Sequence, residues 1–384
     1  MRTFRSVAGG ALPALLLAAL AACDSSSAAP RGAVSAGVLP GAELDVPGWT
    51  LERLARIEGE SDDPDALLYN AGSVASGPDG RLYVLNHGDA RVAVYDAQGR
   101  FEGALAKKGK GPGQLTSPMG VAVRGDTVYV LETVPARLLR FRRADGVFID
   151  NVDLQAKRLI PLQLAVAPDG RMAVEFHQAV VSTDDNRAAR PLVAWVDPAS
   201  GEVTPVVELD SVVRMRANTK SSGGGSRSAI GAPPFSAKPV WTFDGAGDIL
   251  FGNGAEYAVW RMRGGKRELA FRAEAEQLPV TAEDIEQYTA NSYASKLGAK
   301  LEFPDRKPFY AGLKVDGEGD VWVFRHGFGG AGTWEIRRPD GTRRGELRLP
   351  SGTRLLRLDG DTAYLVQRDE MDVESLVQVR VKKS

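Results

Sequence analysis

The chain has 384 residues, with 48 Lys+Arg against 49 Asp+Glu and a formal net charge of -1. That balance excludes the basic footprint of a nucleic-acid binder, so no nucleic-acid partner is expected. Apolar residues make up 43% of the chain, enough for a packed core, and the single Cys excludes an intrachain disulfide or a thiolate zinc site.

Arg2 and Arg5 give a basic start, and residues 7–22 then run for 16 residues without a charge. That is short of the ~20 residues that span a bilayer as a helix. A basic start, an apolar run and small residues at its end have the form of an export signal over residues 1–22. The run closes on Leu20-Ala21-Ala22-Cys23, which resembles the lipobox of bacterial lipoproteins. The resemblance implies cleavage before Cys23 and a diacylglycerol on its thiol. Each buried acyl CH₂ contributes about 0.8 kcal/mol, so two or more chains anchor stably. The expected location is the bacterial cell envelope, lipid-anchored to a membrane and facing the periplasm or exterior. Without Arg2 and Arg5 the mature chain has 46 basic and 49 acidic residues, a charge of -3. Residues 23–48, rich in Ser, Ala, Gly and Pro, read as a flexible tether.

From residue 49 short apolar runs alternate with turn signals. Asp79-Gly80, Gly125-Asp126, Asp169-Gly170, Gly247-Asp248, Gly319-Asp320 and Gly360-Asp361 each favour a tight hairpin. Each is followed by an apolar run: LYVL at 82, VYVL at 128, MAVE at 172, ILFG at 249, VWVF at 321 and AYLV at 363. The base spacing of about 44 residues is that of a four-stranded propeller blade. Two longer intervals mark insertions at 211–238 and 277–308. The strands are apolar at nearly every position, as in sheets covered on both faces.

Six such units fit in 49–384, but the sixth lacks its fourth strand. Trp49–Ile57 alternates well and is expected to supply it, closing the ring. The expected fold is therefore all-β: a six-bladed propeller of four-stranded blades, closed by the N-terminal strand and carrying one short inserted helix. A β-sandwich or two small β domains are the alternatives. In the first insertion, Ser221–Ser226 reads as a mobile loop. In the second, Thr281 and Asp284 resemble a capping box, which predicts a helix over about 282–297.

Lys110-Gly111-Pro112-Gly113-Gln114-Leu115 through Val123 resembles the core of an NHL repeat. So does Tyr83-Val84-Leu85-Asn86-His87-Gly88-Asp89-Ala90-Arg91-Val92, followed by Tyr95-Asp96 and Gly99. The resemblance covers the first two units and implies an NHL-type propeller. It implies no activity, because propellers host binders and enzymes alike.

With the units aligned on their second strands, all three histidines, His87, His177 and His326, fall in one column. Thr133, Gly254 and Arg368 occupy it in the other units, and the adjacent column holds Asn86, Glu132, Asn253 and Arg325. Here the second strand exits into its loop, so these residues should crowd one face of the disc. Three His could hold a zinc ion with water in the fourth position. Second strands on alternate blades start far apart, however, whereas zinc needs nitrogens at ~2.0–2.1 Å. NHL-type lyases hold their metal by His at the starts of innermost strands, where this chain has Pro118-Met119, Pro161-Leu162 and Pro239-Val240. Lactonase-type propellers surround a divalent ion with Glu, Asn and Asp, which Glu132 and Asn253 match only in part.

No catalytic residue and no cofactor are assigned. The expected function is a ligand- or protein-binding module. Its binding face carries Asn86, His87, Glu132, His177, Asn253, Arg325, His326 and Arg368. The expected partners are a membrane, through lipid on Cys23, and an envelope protein or small ligand on the loop face; the chain is expected to be a monomer. A metal-assisted lyase or lactonase of the NHL-type class is the alternative.

Overall fold

The computed structural model describes residues 38–155, 159–178, 190–211, 215–220, 226–292, 295, 301–325 and 332–384. Six antiparallel sheets follow one another along the chain. Two strands, β1 (Glu43–Asp45) and β2 (Trp49–Ile57), precede them and join blades completed only at the C-terminal end.

Blade one is β3 (Ala71–Ser76), β4 (Leu82–Asn86), β5 (Arg91–Tyr95) and β6 (Phe101–Ala106). Blade two is β7 (Pro118–Arg124), β8 (Thr127–Glu132), β9 (Arg137–Arg142) and β10 (Phe148–Asp153). Blade three is β11 (Leu159–Val166), β12 (Met172–Gln178), β13 (Leu192–Val196) and β14 (Val203–Glu208). A hairpin of β15 (Met215–Lys220) and β16 (Ser226–Gly231) intervenes. Blade four is β17 (Val240–Phe243), β18 (Ile249–Gly252), β19 (Ala258–Arg263) and β20 (Lys266–Arg272), followed by helix α1 (Ala282–Asn291). Blade five is β21 (Gly312–Val315), β22 (Val321–Arg325), β23 (Gly332–Arg337) and β24 (Arg343–Leu349). Blade six is β25 (Thr353–Asp359), β26 (Thr362–Arg368) and β27 (Glu374–Lys383), with β2 as its fourth strand.

Continuous apolar runs become strands buried along their whole length. β4 is buried at every position because blades pack on both of its faces. Such side chains contribute roughly 1.5–3 kcal/mol each when fully buried. Six apolar clusters fill the gaps between consecutive blades. Leu85 and Val92 meet Val130 and Phe141 between blades one and two. Leu131 meets Val174 and Phe176 between two and three, and Val193 meets Trp241 and Phe251 between three and four. Val259 meets Val323 between four and five. Trp322 and Ile336 meet Val377 and Val379 between five and six. Tyr364 and Leu376 meet Val84 and Tyr95 between six and one, so the ring is closed. The first strands of most adjacent blades contact one another, which puts them innermost, around the axis.

The N-terminal strand closes the last blade as expected: β2 pairs antiparallel with β27 from Trp49↔Lys383 to Ile57↔Leu376. β1 adds a strand the repeat did not signal. It pairs with β24 and makes blade five five-stranded, and within the stretch read as a tether Leu39, Leu44 and Val46 are buried. The first insertion contains a hairpin that its Gly and Ser content did not signal. Its flanks pair as the β15–β16 hairpin, and residues 221–225 lie outside the described residues.

The inserted helix starts where the capping box placed it. Thr281 Oγ1 accepts from Asp284 N–H at 3.1 Å, and Asp284 Oδ2 accepts from Thr281 N–H at 2.8 Å. α1 ends at Asn291 rather than near 297, because Ser292 turns to extended backbone at φ -75° and ψ 126°. Asn and Ser side chains compete for backbone groups and support a helix end.

Candidate functional site

In each blade the innermost strand runs away from one face and the second strand returns to it. That face therefore carries the second-to-third loops and the blade-to-blade connections; both insertions are of the latter kind. The opposite face carries tight turns. The glycines of the six first-to-second turns all have positive φ, between +55° and +87°, the region where a side chain costs most.

The structure places Asn86, Glu132, Arg325 and Arg368 at the last positions of β4, β8, β22 and β26. His87 and Asn253 follow β4 and β18 by one residue, and His177 is next to last in β12. All seven sit on the loop face. Cys23 and His326 lie outside the described residues.

Within that face the seven are not one cluster. Among the described residues, no hydrogen bond or ion pair joins one of these side chains to another. Asn86 is fully buried, donating to Leu67 C=O at 3.1 Å and accepting from Tyr69 N–H at 3.3 Å. Glu132 is equally buried. Its Oε1 collects Thr116 Oγ1 at 3.0 Å and Ser117 N–H at 3.1 Å, and Arg137 pairs with its Oε2 at 2.7 Å. These two hold neighbouring loops, and a ligand would not reach them.

His177 Nε2 lies 2.6 Å from Glu175 Oε1, and Glu175 Oε2 accepts from Trp241 Nε1 of blade four at 2.7 Å. Asn253 donates to Asp210 Oδ2 at 2.7 Å, at the start of the first insertion. Arg325 donates to Glu276 C=O at 2.7 Å, at the start of the second, and pairs with Glu335 at 3.2 Å. Two candidates therefore fix the insertions in place.

Arg368 belongs to a network between blades six and one. It donates to Glu374 Oε1 at 2.7 Å, and Arg354 Nη2 reaches the same oxygen at 3.3 Å. Glu374 Oε2 accepts from Ala71 N–H at 2.7 Å. The His87 ring lies beside this network, over Gly72, and its buried Nε2 has no partner among the described residues. Burial, and then the Arg354 charge, hold its imidazole below the ordinary value.

Neither the motif nor the alignment pointed to the cleft between the two insertions. Lys307 Nζ lies 2.7 Å from the Asp284 carboxylate, both nearly buried, which ties α1 to the chain beyond it. Phe235 of the first insertion packs on Tyr288 of α1 and on Phe303, with ring centroids 5.7 and 6.3 Å away. Beside them opens a cleft of about 470 Å³, lined by Phe235, Phe303, Pro304, Ala255, Glu302 and Arg306 among others. Its walls are mainly apolar with a few charges, the usual make-up of a small-ligand site. A smaller hollow of about 340 Å³ lies on the turn face beside Arg171, whose guanidinium stacks on Trp195 at 4.0 Å.

Among the described residues, no group of three or more His, Cys, Asp or Glu side chains is placed to hold a metal ion. None of their helices is long and apolar enough to cross a membrane. Sequence reading also passed over Lys314, Arg354 and Arg357 on innermost strands. Their signal was a basic residue inside an otherwise apolar run, GLKV and TRLLRLD.

Residues 65–166 match the DUF5128 family, described as a 6-bladed beta-propeller. No curated protein matches the chain. Among solved structures, a candidate exported protein from Bacteroides fragilis NCTC 9343 is 12% identical with a TM-score of 0.52, over 87% of this chain and 96% of that one. A member of the duf4221 family from Bacteroides vulgatus atcc 8482 is 13% identical with a TM-score of 0.52, over 89% and 99%. At that identity the likeness shows the fold: this chain is a six-bladed β-propeller.

Proposed function

We propose that the protein is a binding module of the bacterial cell envelope, an NHL-type propeller held to a membrane through lipid on Cys23. It takes an envelope protein or a small ligand on its loop face. The anchor rests on the Leu20–Cys23 lipobox resemblance and the uncharged run before it.

The observation that carries the binding reading is the asymmetry of the disc. One face is kept to tight turns. The other carries both insertions, folded against each other around Phe235 and enclosing the cleft. Arg325, Asn253 and the Lys307–Asp284 pair all serve to hold these insertions. A preformed, braced concavity lowers the ordering cost of binding.

A photo-crosslinking side chain at Ala255, exposed in the cleft, should capture a partner in intact envelopes, whereas one at Ala144 in a turn of the opposite face should not. Equal capture from both positions, or from neither while a bound small molecule is also absent by native mass spectrometry, overturns the reading. Separately, Cys23→Ser should move the protein from the membrane to the soluble fraction.

A further inference from the structure

The six innermost strands surround the axis, and their charges are lopsided. They carry Arg124, Lys314, Arg354 and Arg357 against a single acid, Asp359, in a chain whose charges otherwise nearly cancel. Asp359 sits at the turn-face end of β25 and is already paired with Arg357 at 2.8 Å. Arg354 shares Glu374 with Arg368.

Among the described residues Arg124 also makes no such pair, but it is exposed at the turn-face end of β7; Lys314 is the enclosed cation without one. It lies in the middle of β21, opposite Trp322, so it points to the blade-six side of its sheet; the charge of Arg357 on β25 acts on it, although Arg357 itself faces blade one and donates to Val74 C=O at 3.4 Å. Its ammonium group makes no hydrogen bond or ion pair among the described residues. It is ringed by protein yet keeps partial access to solvent. Burial, and then the Arg357 charge, push its pKa down to about 8. Lys238, two residues before β17 at the loop-face end, likewise has no charged partner among the described residues. Ser73, Gln163 and Thr242 add neutral polar groups on the same innermost strands.

A desolvated cation beside a second cation is costly unless an anion completes the site. Most other buried cations in this fold have a carboxylate: Arg91 has Asp65, Arg337 has Glu335 and Lys383 has Asp316. We propose that the propeller axis is a site for a small carboxylate- or phosphate-bearing anion. Lys314 is its central ligand, backed by Arg357, with Lys238 and Arg354 toward the loop-face entrance. The site rests on the propeller fold and is independent of the cleft between the insertions.

The test is calorimetric titration of the full mature protein with inorganic phosphate and, separately, with succinate. Saturable binding of either is expected, and the stronger of the two identifies the headgroup. Lys314→Met should weaken it at least about tenfold, the loss expected for one charge-assisted contact. Lys314→Arg should retain it. Arg124→Met, at the turn-face end of its strand, should leave it unchanged. Thermal unfolding should rise with the anion in the parent protein and not in Lys314→Met, which also shows that the variant folds. No saturable binding of either anion at millimolar concentration, or binding untouched by Lys314→Met, overturns the site.

Discussion

Lys383 Nζ stands 3.0 Å from Asp316 Oδ2, joining β27 of the closing blade to the first turn of the blade before it. The same ammonium lies 2.8 Å from Asp361 and 4.8 Å from the centre of the Trp49 ring. Trp49 belongs to β2 and stacks on Trp322 of blade five at 6.3 Å. The strands β2 and β27 therefore converge with blade five on one point of the ring. Closure is secured by side chains there as well as by the β2–β27 ladder.

Lys383→Ala leaves the Asp316 carboxylate buried without this partner. The expected loss is about 3 kcal/mol, read from urea unfolding, as for other broken buried pairs. Burial alone would lower the Lys383 pKa, but the contacts to Asp361 and Asp316 outweigh it and raise it above its ordinary 10.5. A raised cation stabilises fully below that value and loses the effect only as pH climbs through the folded one. The difference between the parent protein and Lys383→Ala should therefore stay level from neutrality to about pH 10. A difference that fades below pH 9 would show that another group is responsible.

The His87 imidazole titrates below its ordinary 6.5 in the fold. Protonation then favours the unfolded chain. Stability is full above 6.5 and falls as pH drops through the folded value. Urea unfolding at about pH 7.5 and about pH 5 should show that loss, and His87→Gln should reduce it. Equal acid sensitivity in both proteins would mean that carboxylates alone set the slope.

Much of the fold was legible because its period is enforced by backbone chemistry. The six Gly-Asp turns adopt positive φ, and the run after each is buried on both faces, so composition and spacing both reported the blade. β1 was not legible, since a three-residue Glu43–Asp45 strand has no periodicity of its own and pairs only once β24 exists. The alignment placed the seven described candidates on one face, because strand exits follow from topology. It could not say which would be free. Asn86 and Glu132 were drawn to unsatisfied N–H and C=O groups of adjoining loops, contacts set by loop paths that no column of residues records. The Phe235–Phe303 contact was hidden for the same reason: the two residues lie on separate insertions.

Asp284 both caps α1 and receives Lys307, so helix and cleft wall depend on one carboxylate. Asp284→Asn should raise amide exchange in α1 by on the order of 100-fold, the equivalent of about 3 kcal/mol for a broken buried pair. Global unfolding should move far less, because α1 lies outside the six inter-blade clusters. Equal changes in α1 and in β4 would show that the insertion and propeller open as one unit.

Lys314 tests whether its placement reflects function rather than stability. A lysine whose pKa falls to about 8 penalises the fold wherever the unfolded amine is still charged. The sign is opposite to that for Lys383: stability rises with pH through about 8 and levels off near the ordinary 10.5. Lys314→Met removes the charge and keeps an unbranched apolar stem. It should therefore stabilise the protein at pH 7 by about 1–3 kcal/mol, and the gain should shrink toward pH 10. Urea unfolding at the two pH values measures it. A residue that weakens its own fold at neutral pH, and whose removal also abolishes anion-dependent stabilisation, is placed for binding. If Lys314→Met instead destabilises at pH 7, the lysine is a packing element and the axial site loses its central ligand.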